Sequence, residues 1–284
     1  MEKNHYIKIR PADFNLHQIE NSGQCFRISE ISANVWEVHA FNKRLLIRQE
    51  GERHDYVFEC SSEEFRKIWF DYFDMGRDYG KIKSNLRAIG DPYLTAAVDY
   101  GYGIRILRQD LWETIVTFLI SQQNNISRIK NTIVKLCRPY DDRFPTPDLL
   151  SKYTENDFLA LGLGYRAKYL QNIVKAVREN NLNLRELKTM NSFEAINFLK
   201  SFRGIGDKVA NCIALFGLHK VDAFPIDVWI KRIIDERYGG NFDKTRFSEY
   251  AGIVQQYMFF YRRNSGKNID FSGRERHIPP GTLT

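Results

Sequence analysis

The feature that most restricts how this chain can fold is the run Phe202-Arg-Gly-Ile-Gly-Asp-Lys-Val-Ala-Asn-Cys212, which sets Gly204 and Gly206 one residue apart between two stretches of helical spacing. Glycine accepts positive φ and lets a second backbone approach closely, so the run dictates a helix, a tight turn and a second helix. The N–H groups that open the second helix have no partner within it and carry positive partial charge, which suits a phosphate oxygen. A Walker-type phosphate loop is excluded because the G-x-x-x-x-G-K-[ST] spacing is absent. On these residues alone, a phosphate-binding hairpin and a plain turn between helices both remain open.

The rest of the chain divides by periodicity. Val35-Trp-Glu-Val-His-Ala-Phe41 and Arg44-Leu-Leu-Ile-Arg48 have the pattern of strands, with Asn42-Lys43 between them as a tight hairpin, and His54-Asp-Tyr-Val-Phe-Glu-Cys60 follows as a third strand. From about residue 62 the spacing becomes helical. Asp110, with Glu113 three residues on, has the form of a capping box, and Leu111, Ile115, Phe118 and Leu119 then mark one buried face. The stretch 125–137 is the next helix, with Ile126, Ile129, Ile133 and Leu136 inward, and the segment of Pro145 and Pro147 is a loop. Helices are expected near 155–161, 166–177, 193–201, 208–218, 228–238 and 246–262. The fold class is therefore α+β. An N-terminal antiparallel β-sheet domain spans 1–90, a mainly helical body spans 91–263 with the hairpin at 193–218, and 264–284 is a loosely ordered tail.

Composition bounds the function classes. No apolar run approaches the roughly 18 residues that crossing a bilayer needs, and the start, Met1 to Arg10, lacks the apolar stretch of a secretion signal. The expected location is inside the cell, in the cytoplasm at a bacterial nucleoid or in a eukaryotic nucleus, with no membrane partner. Cys25, Cys60, Cys137 and Cys212 stand singly, with no C-x-x-C pair, so neither a zinc site nor an iron–sulfur cluster is expected, and no metal or cofactor is assigned. A net charge of +7 and a pI near 9.1 suit a polyanionic partner without demanding one.

Lys208 falls in the first turn of the second hairpin helix, where the helix dipole slightly disfavours a cation. Most such lysines are solvated surface residues. Phe224-Pro-Ile-Asp-Val228 follows, in which Asp227, nineteen residues after Lys208, stands at the N-cap of the helix 228–238. Capping alone, worth about 1 kcal/mol, is a sufficient reason for an aspartate there. Capping and catalysis are compatible, since a cap holds the carboxylate rigidly.

Taken together, G-I-G-D-K-V-A-N-C and P-I-D-V resemble the helix-hairpin-helix and Gly/Pro/Asp pattern of the HhH-GPD base-excision repair superfamily. The resemblance implies a bifunctional glycosylase/lyase, because members that act through activated water lack the lysine. Lys208 then attacks the anomeric carbon, expels the damaged base and forms a Schiff base that leads to β-elimination, while Asp227 stabilises positive charge on the sugar. A lysine attacks only as the free amine, the form that a dry pocket favours.

Further stretches resemble the 8-oxoguanine DNA glycosylases over nearly the whole chain. They are Asn21-Ser-Gly-Gln-Cys-Phe-Arg27, Arg105-Ile-Leu-Arg-Gln-Asp110, Ser121-Gln-Gln-Asn-Asn-Ile-Ser-Arg-Ile129, Leu163-Gly-Tyr-Arg-Ala-Lys-Tyr169, and Tyr250-Ala-Gly252 with Gln255 and Phe259. This likeness implies that the Gly23 carbonyl reads the lesion, that the extruded base lies between Phe259 and Cys212, and that Gln255 bonds its Watson–Crick edge. Spacing alone says less. Gln255 and Phe259 share a helix face, yet an aromatic run such as Tyr257-Met-Phe-Phe-Tyr261 is more often core.

The same likeness assigns Gln123, Asn124, Arg128, Tyr165 and Arg166 to the DNA and the base opposite the lesion, with Gly204 and Gly206 at the backbone. Gln123 replaces an asparagine of the family pattern, and Trp229 stands where eukaryotic members carry histidine, so the stringency for the opposing base is the feature these departures touch. The expected partner is double-stranded DNA containing a damaged base, met by a monomer, with 8-oxoguanine opposite cytosine preferred. Two other functions fit the hairpin: a superfamily glycosylase for adenine, thymine or alkylated bases, and a non-catalytic helix-hairpin-helix DNA-binding module. Gly23, Gln255 and Phe259 argue against the first; the second leaves Lys208 and Asp227 unexplained.

Overall fold

A computed structural model describes residues 6–51, 55–247 and 249–265 of the chain. Alternating apolar residues build the N-terminal sheet. Its five antiparallel strands, β1 (Ile7–Ile9), β2 (Ile28–Ser32), β3 (Val35–Ala40), β4 (Lys43–Glu50) and β5 (Asp55–Phe58), lie in the order β1-β5-β4-β3-β2. Trp36, Val38 and Ala40 of β3 and Leu45 and Ile47 of β4 point inward, alternating with more exposed neighbours as strand geometry requires.

The β3–β4 hairpin differs from expectation by one residue. Ala40 pairs with Lys43, so the turn is Phe41-Asn42, at φ 51° and 59°. Two left-handed residues match the twist of the flanking strands, and asparagine tolerates that region well. β1 and β2 carry almost no sequence signal, because β1 has three residues and only Ile28 of β2 is buried. His54, expected to open the third strand, lies outside the described residues.

Short helical turns at Ser62–Tyr72 cover the sheet, and Trp69, Tyr72 and Phe73 complete its core. A second core takes in Phe26, runs from Tyr79 to Phe260 and contains most of the helices. Those that position the site are α1 (Leu16–Asn21), α2 (Leu111–Ser121), α3 (Ile126–Cys137), α4 (Arg166–Arg178), α5 (Ser192–Lys200), α6 (Asp207–Cys212), α7 (Val228–Tyr238) and α8 (Ala251–Asn264). α6 continues as a π-helical turn, Ile213–Gly217.

Three other expectations are revised. Pro147 does not sit in a loop but opens the short helix Pro147–Leu150 behind a Thr146 cap, a place where its missing N–H costs nothing. The helix expected over 246–262 is split into a 3-10 turn, Lys244–Phe247, and α8. The start of α8 is pressed onto a loop: the Gly252 N–H donates to Val221 O at 2.7 Å, and a Cβ on Gly252 would lie 2.6 Å from Ala223 O. Asp110 does cap α2, accepting from the Glu113 N–H at 2.9 Å, but Glu113 does not fold back to complete the box. Its carboxylate, buried, pairs instead with Arg27 at 3.2 Å.

The segment after α1 passes between the two cores, since Cys25 and Ile28 belong to the first and Phe26 to the second. Buried Gln24 anchors it. Gln24 accepts from the Leu107 N–H at 2.8 Å and donates to Arg105 O at 2.9 Å. The Arg105 guanidinium is itself buried and donates to the carbonyls of Ala12, Asp13 and Asp74. The Arg105–Asp110 run is therefore the joint that sets Gly23 against the helical body.

Candidate active site

The hairpin turn needs one of its glycines for internal reasons and leaves the other free. Gly204 has φ +98°, and a Cβ there would fall 2.4 Å from Tyr169 Cγ, so no side chain fits. Gly206, the N-cap of α6, has ordinary extended backbone (φ −91°, ψ −177°) and open space where a Cβ would go. Among the described residues no contact requires glycine at 206.

From this turn α6 carries Lys208 and, one turn on, Cys212. The half-buried Lys208 amine lies 5.4 Å from the centroid of the Phe118 ring of α2, which stacks on Phe216. Asp227 caps α7 through the N–H groups of Trp229 at 3.0 Å and Ile230 at 2.8 Å. Burial pushes the Asp227 carboxyl above its ordinary value, against the opposing pull of the Ile230 N–H and the Lys208 charge. Burial likewise raises the Cys212 thiol, with the neighbouring Lys208 pulling it down. The Lys208 charge thus acts on both the Asp227 carboxyl and the Cys212 thiol.

The second half of the site comes from the chain's two ends. Gly23, at φ +75°, lies against Phe259: a Cβ on Gly23 would be 3.3 Å from Phe259 Cε1. Gln255, one turn before Phe259 on α8, is buried, and its Oε1 accepts from Gln256 Nε2 at 3.2 Å. Arg263, one turn after Phe259, donates to Asn21 O at 3.3 Å, and its guanidinium carbon lies 6.0 Å from the Phe259 ring centroid.

The expected DNA-side residues occupy the loop between α2 and α3 and its neighbours. Gln123 is exposed, with φ 45°, and Tyr165 is 49% exposed. Arg128 is exposed and donates to Gly162 O at 3.3 Å. Arg166 is only 6% exposed and donates to the carbonyls of Gln122 (2.7 Å), Gln123 (3.0 Å) and Leu163 (3.2 Å). Asn124 turns inward to Ile120 O at 3.2 Å. Gln122, which the sequence reading did not single out, donates to Gly204 O at 3.0 Å and ties this loop to the hairpin.

Comparison with known proteins decides the family. Residues 6–115 match the 8-oxoguanine DNA glycosylase N-terminal domain, and residues 116–249 match the HhH-GPD superfamily of base excision DNA repair proteins. The structure is similar to the Clostridium acetobutylicum 8-oxoguanine glycosylase/lyase solved with duplex DNA carrying cytosine opposite 8-oxoguanine, at a TM-score of 0.85 and 37% identity, covering 93% of this chain and 97% of that one. It is similar also to MBOgg1 bound to a low-affinity DNA ligand, with TM-score 0.86, 36% identity, and coverage of 94% and 98%. The chain belongs to the 8-oxoguanine DNA glycosylase family. A probable N-glycosylase/DNA lyase of Methanothermobacter thermautotrophicus is 28% identical over 92% of this chain and 97% of its own length.

In this member of the 8-oxoguanine DNA glycosylase family, the junction of the two family domains falls inside α2. That helix carries Glu113, paired to the Gly23 segment through Arg27, and Phe118, set beneath the Lys208 amine. One rigid element therefore spans both halves of the site. Sequence reasoning missed Arg27 with Glu113, Phe118, Gln122 and Arg263. Arg27 and Gln122 lie inside the family-like stretches, and Arg263 continues the four-residue spacing Gln255, Phe259, Arg263 along one helix face. Among the described residues no His, Cys, Asp and Glu cluster of metal-ligating form occurs, and no helix is long and apolar enough to cross a membrane.

Proposed function

We propose that the protein excises 8-oxoguanine from duplex DNA as an N-glycosylase with lyase activity, using Lys208 as nucleophile and Asp227 as its counter-charge. The observation that carries this reading is the half-buried Lys208 amine whose charge acts on a carboxylate locked as a helix cap. The amine forms a bond to C1′ of the lesion sugar as the glycosidic bond breaks, and the base leaves with its electron pair and takes up a proton. Loss of an amine proton with ring opening gives a Schiff base. Removal of a proton from C2′ then expels the 3′ phosphate. Asp227 opposes the positive charge that builds on the sugar.

Gly23, Gln255, Phe259 and Cys212 form the base pocket in this reading, which rests on the Gly23–Phe259 contact and the burial of Gln255 and Cys212. The space at Gly206 admits a backbone phosphate beside the α6 N–H groups. The partner is duplex DNA with cytosine opposite the lesion. Exposed Arg128 and Gln123 make that contact and Tyr165 wedges the stack, while Arg166 acts through the loop it holds. Gln123 has a longer stem than asparagine, so the preference for cytosine is milder than in eukaryotic relatives.

The test is borohydride trapping on a panel of duplexes that vary the lesion and the opposing base. A covalent adduct is expected on 8-oxoguanine duplex, strongest opposite cytosine, and absent for Lys208→Gln, which still binds. Adduct formation that survives Lys208→Gln removes Lys208 as nucleophile. Binding with no adduct on any duplex leaves a DNA-holding module.

A further inference from the structure

Arg263 is a cation with no ion-pair partner among the described residues. Its guanidinium is half-buried at the end of α8, and among the described residues no carboxylate lies within ion-pair distance of it, whereas its neighbour Arg262 pairs with Glu236 at 2.8 Å. Burial pulls its pKa below the ordinary arginine value, and the field of Asp227 only partly offsets this. Partial removal of a charge from water without a partner is unfavourable and is not maintained for stability. The position of the group is informative. A Cβ on Gly23 would be 3.7 Å from Arg263 Nη1 and 3.3 Å from Phe259 Cε1, so the guanidinium stands at the level of the ring against which the base is proposed to stack. Its one hydrogen bond among the described residues, to Asn21 O at 3.3 Å, engages a single donor of a group that has five.

We propose that Arg263 is a nucleotide-binding contact of the lesion pocket, donating to an oxygen of the extruded nucleotide beside Gly23. The inference rests on the base-pocket reading above. In 8-oxoguanine the position proposed to meet Gly23, N7, is flanked by carbonyl oxygens at C6 and C8, so a donor next to Gly23 reaches an acceptor on the same edge. A phosphate oxygen of the same nucleotide offers the same chemistry. Hydrogen bonds to charged groups of this kind change affinity by roughly tenfold to a hundredfold.

The alternative is that Arg263 merely ties α8 to Asn21 and thereby holds Gly23 in place. Binding measurements in the Lys208→Gln background separate these roles. The probes are duplexes containing 8-oxoguanine, its analogue with C–H in place of N7–H, unmodified guanine, and a tetrahydrofuran abasic site. Arg263→Gln is expected to weaken the two 8-oxo bases by the same factor, about tenfold or more, while Arg263→Lys recovers part of the loss. Unchanged abasic binding assigns the oxygen to the base; an equal loss on the abasic duplex, with the thermal unfolding midpoint unchanged, assigns it to the phosphate. A loss confined to the N7–H base, so that discrimination against the C–H analogue collapses, makes Arg263 a tether for Gly23 and overturns the proposal. No change on any probe overturns it as well. If the parent fails to distinguish 8-oxoguanine from guanine, the base-pocket reading itself has failed.

Discussion

Gly23 and Phe259, from opposite ends of the chain, meet so closely that a Cβ on the glycine would stand 3.3 Å from the phenylalanine ring. The contact joins the segment between the two cores to the C-terminal helix. It also bears on why residue 23 has no side chain: its φ of +75° disfavours any L-residue, and the ring would crowd a Cβ.

Gly23→Ala is expected to lose excision of 8-oxoguanine selectively. Guanine N7 is an acceptor, but the keto form of 8-oxoguanine carries hydrogen there, so a carbonyl at Gly23 gains a bond with the lesion and opposes an acceptor in the normal base. Unmet buried polar groups cost about 1–3 kcal/mol, enough for one to two decades of selectivity. Single-turnover rates on 8-oxoguanine and on its N7 C–H analogue check this. Equal excision of the two by the parent protein would remove Gly23 from base reading.

Asp227→Asn should slow base release by roughly a hundredfold or more, because the developing sugar cation loses its counter-charge. Asparagine caps a helix about as well as aspartate, so stability changes little. Burial raises the Asp227 carboxyl, and only its ionised form opposes the cation, so activity falls in acid with a midpoint above the ordinary carboxylate value. That limb should vanish in the variant. Parallel losses of activity and of thermal stability would instead mark a purely structural residue.

The two hairpin glycines should part company. Gly204→Ala would drive a methyl to 2.4 Å from Tyr169 Cγ at φ +98°, and its cost in unfolding free energy is expected to be about 2 kcal/mol or more. Gly206→Ala meets nothing within 4 Å in the free protein and should fold normally, while duplex DNA binding weakens as the methyl crowds the approaching backbone. Undiminished DNA affinity in the Gly206 variant would show that the hairpin does not carry the phosphate.

Glu113 predicts a pH dependence of stability. Burial, moderated by Arg27, pushes its carboxyl from 4.5 up to about 7. Between those values the folded protein holds a proton that the unfolded chain has lost, so unfolding free energy declines as pH rises through that window. The decline is on the order of 3 kcal/mol and is complete above the folded-state value. Glu113→Gln keeps an acceptor for Arg27 and should remove this contribution. Denaturant titrations at pH 4.5 and 7.5 on both proteins measure the difference; identical slopes would mean that Glu113 stays ionised throughout.

Local chemistry was legible in the residues themselves. Gly204 forced the hairpin turn, Asp110 and Asp227 capped the helices that follow them, and alternation in 35–48 marked the paired strands. These signals lie within a few residues of what they determine, and steric limits on φ or an orphan N–H decide them. Packing settled the remainder. Whether Arg166 faces DNA or turns to the carbonyls of Gln122 and Gln123, whether Glu113 closes a capping box or crosses to Arg27, and which ring meets Gly23 depend on surfaces far apart in the chain. Burial and partner choice are properties of those surfaces once assembled, so the Gly23–Phe259–Arg263 corner belongs to the tertiary structure, while the Lys208 hairpin was already written in the spacing of its glycines.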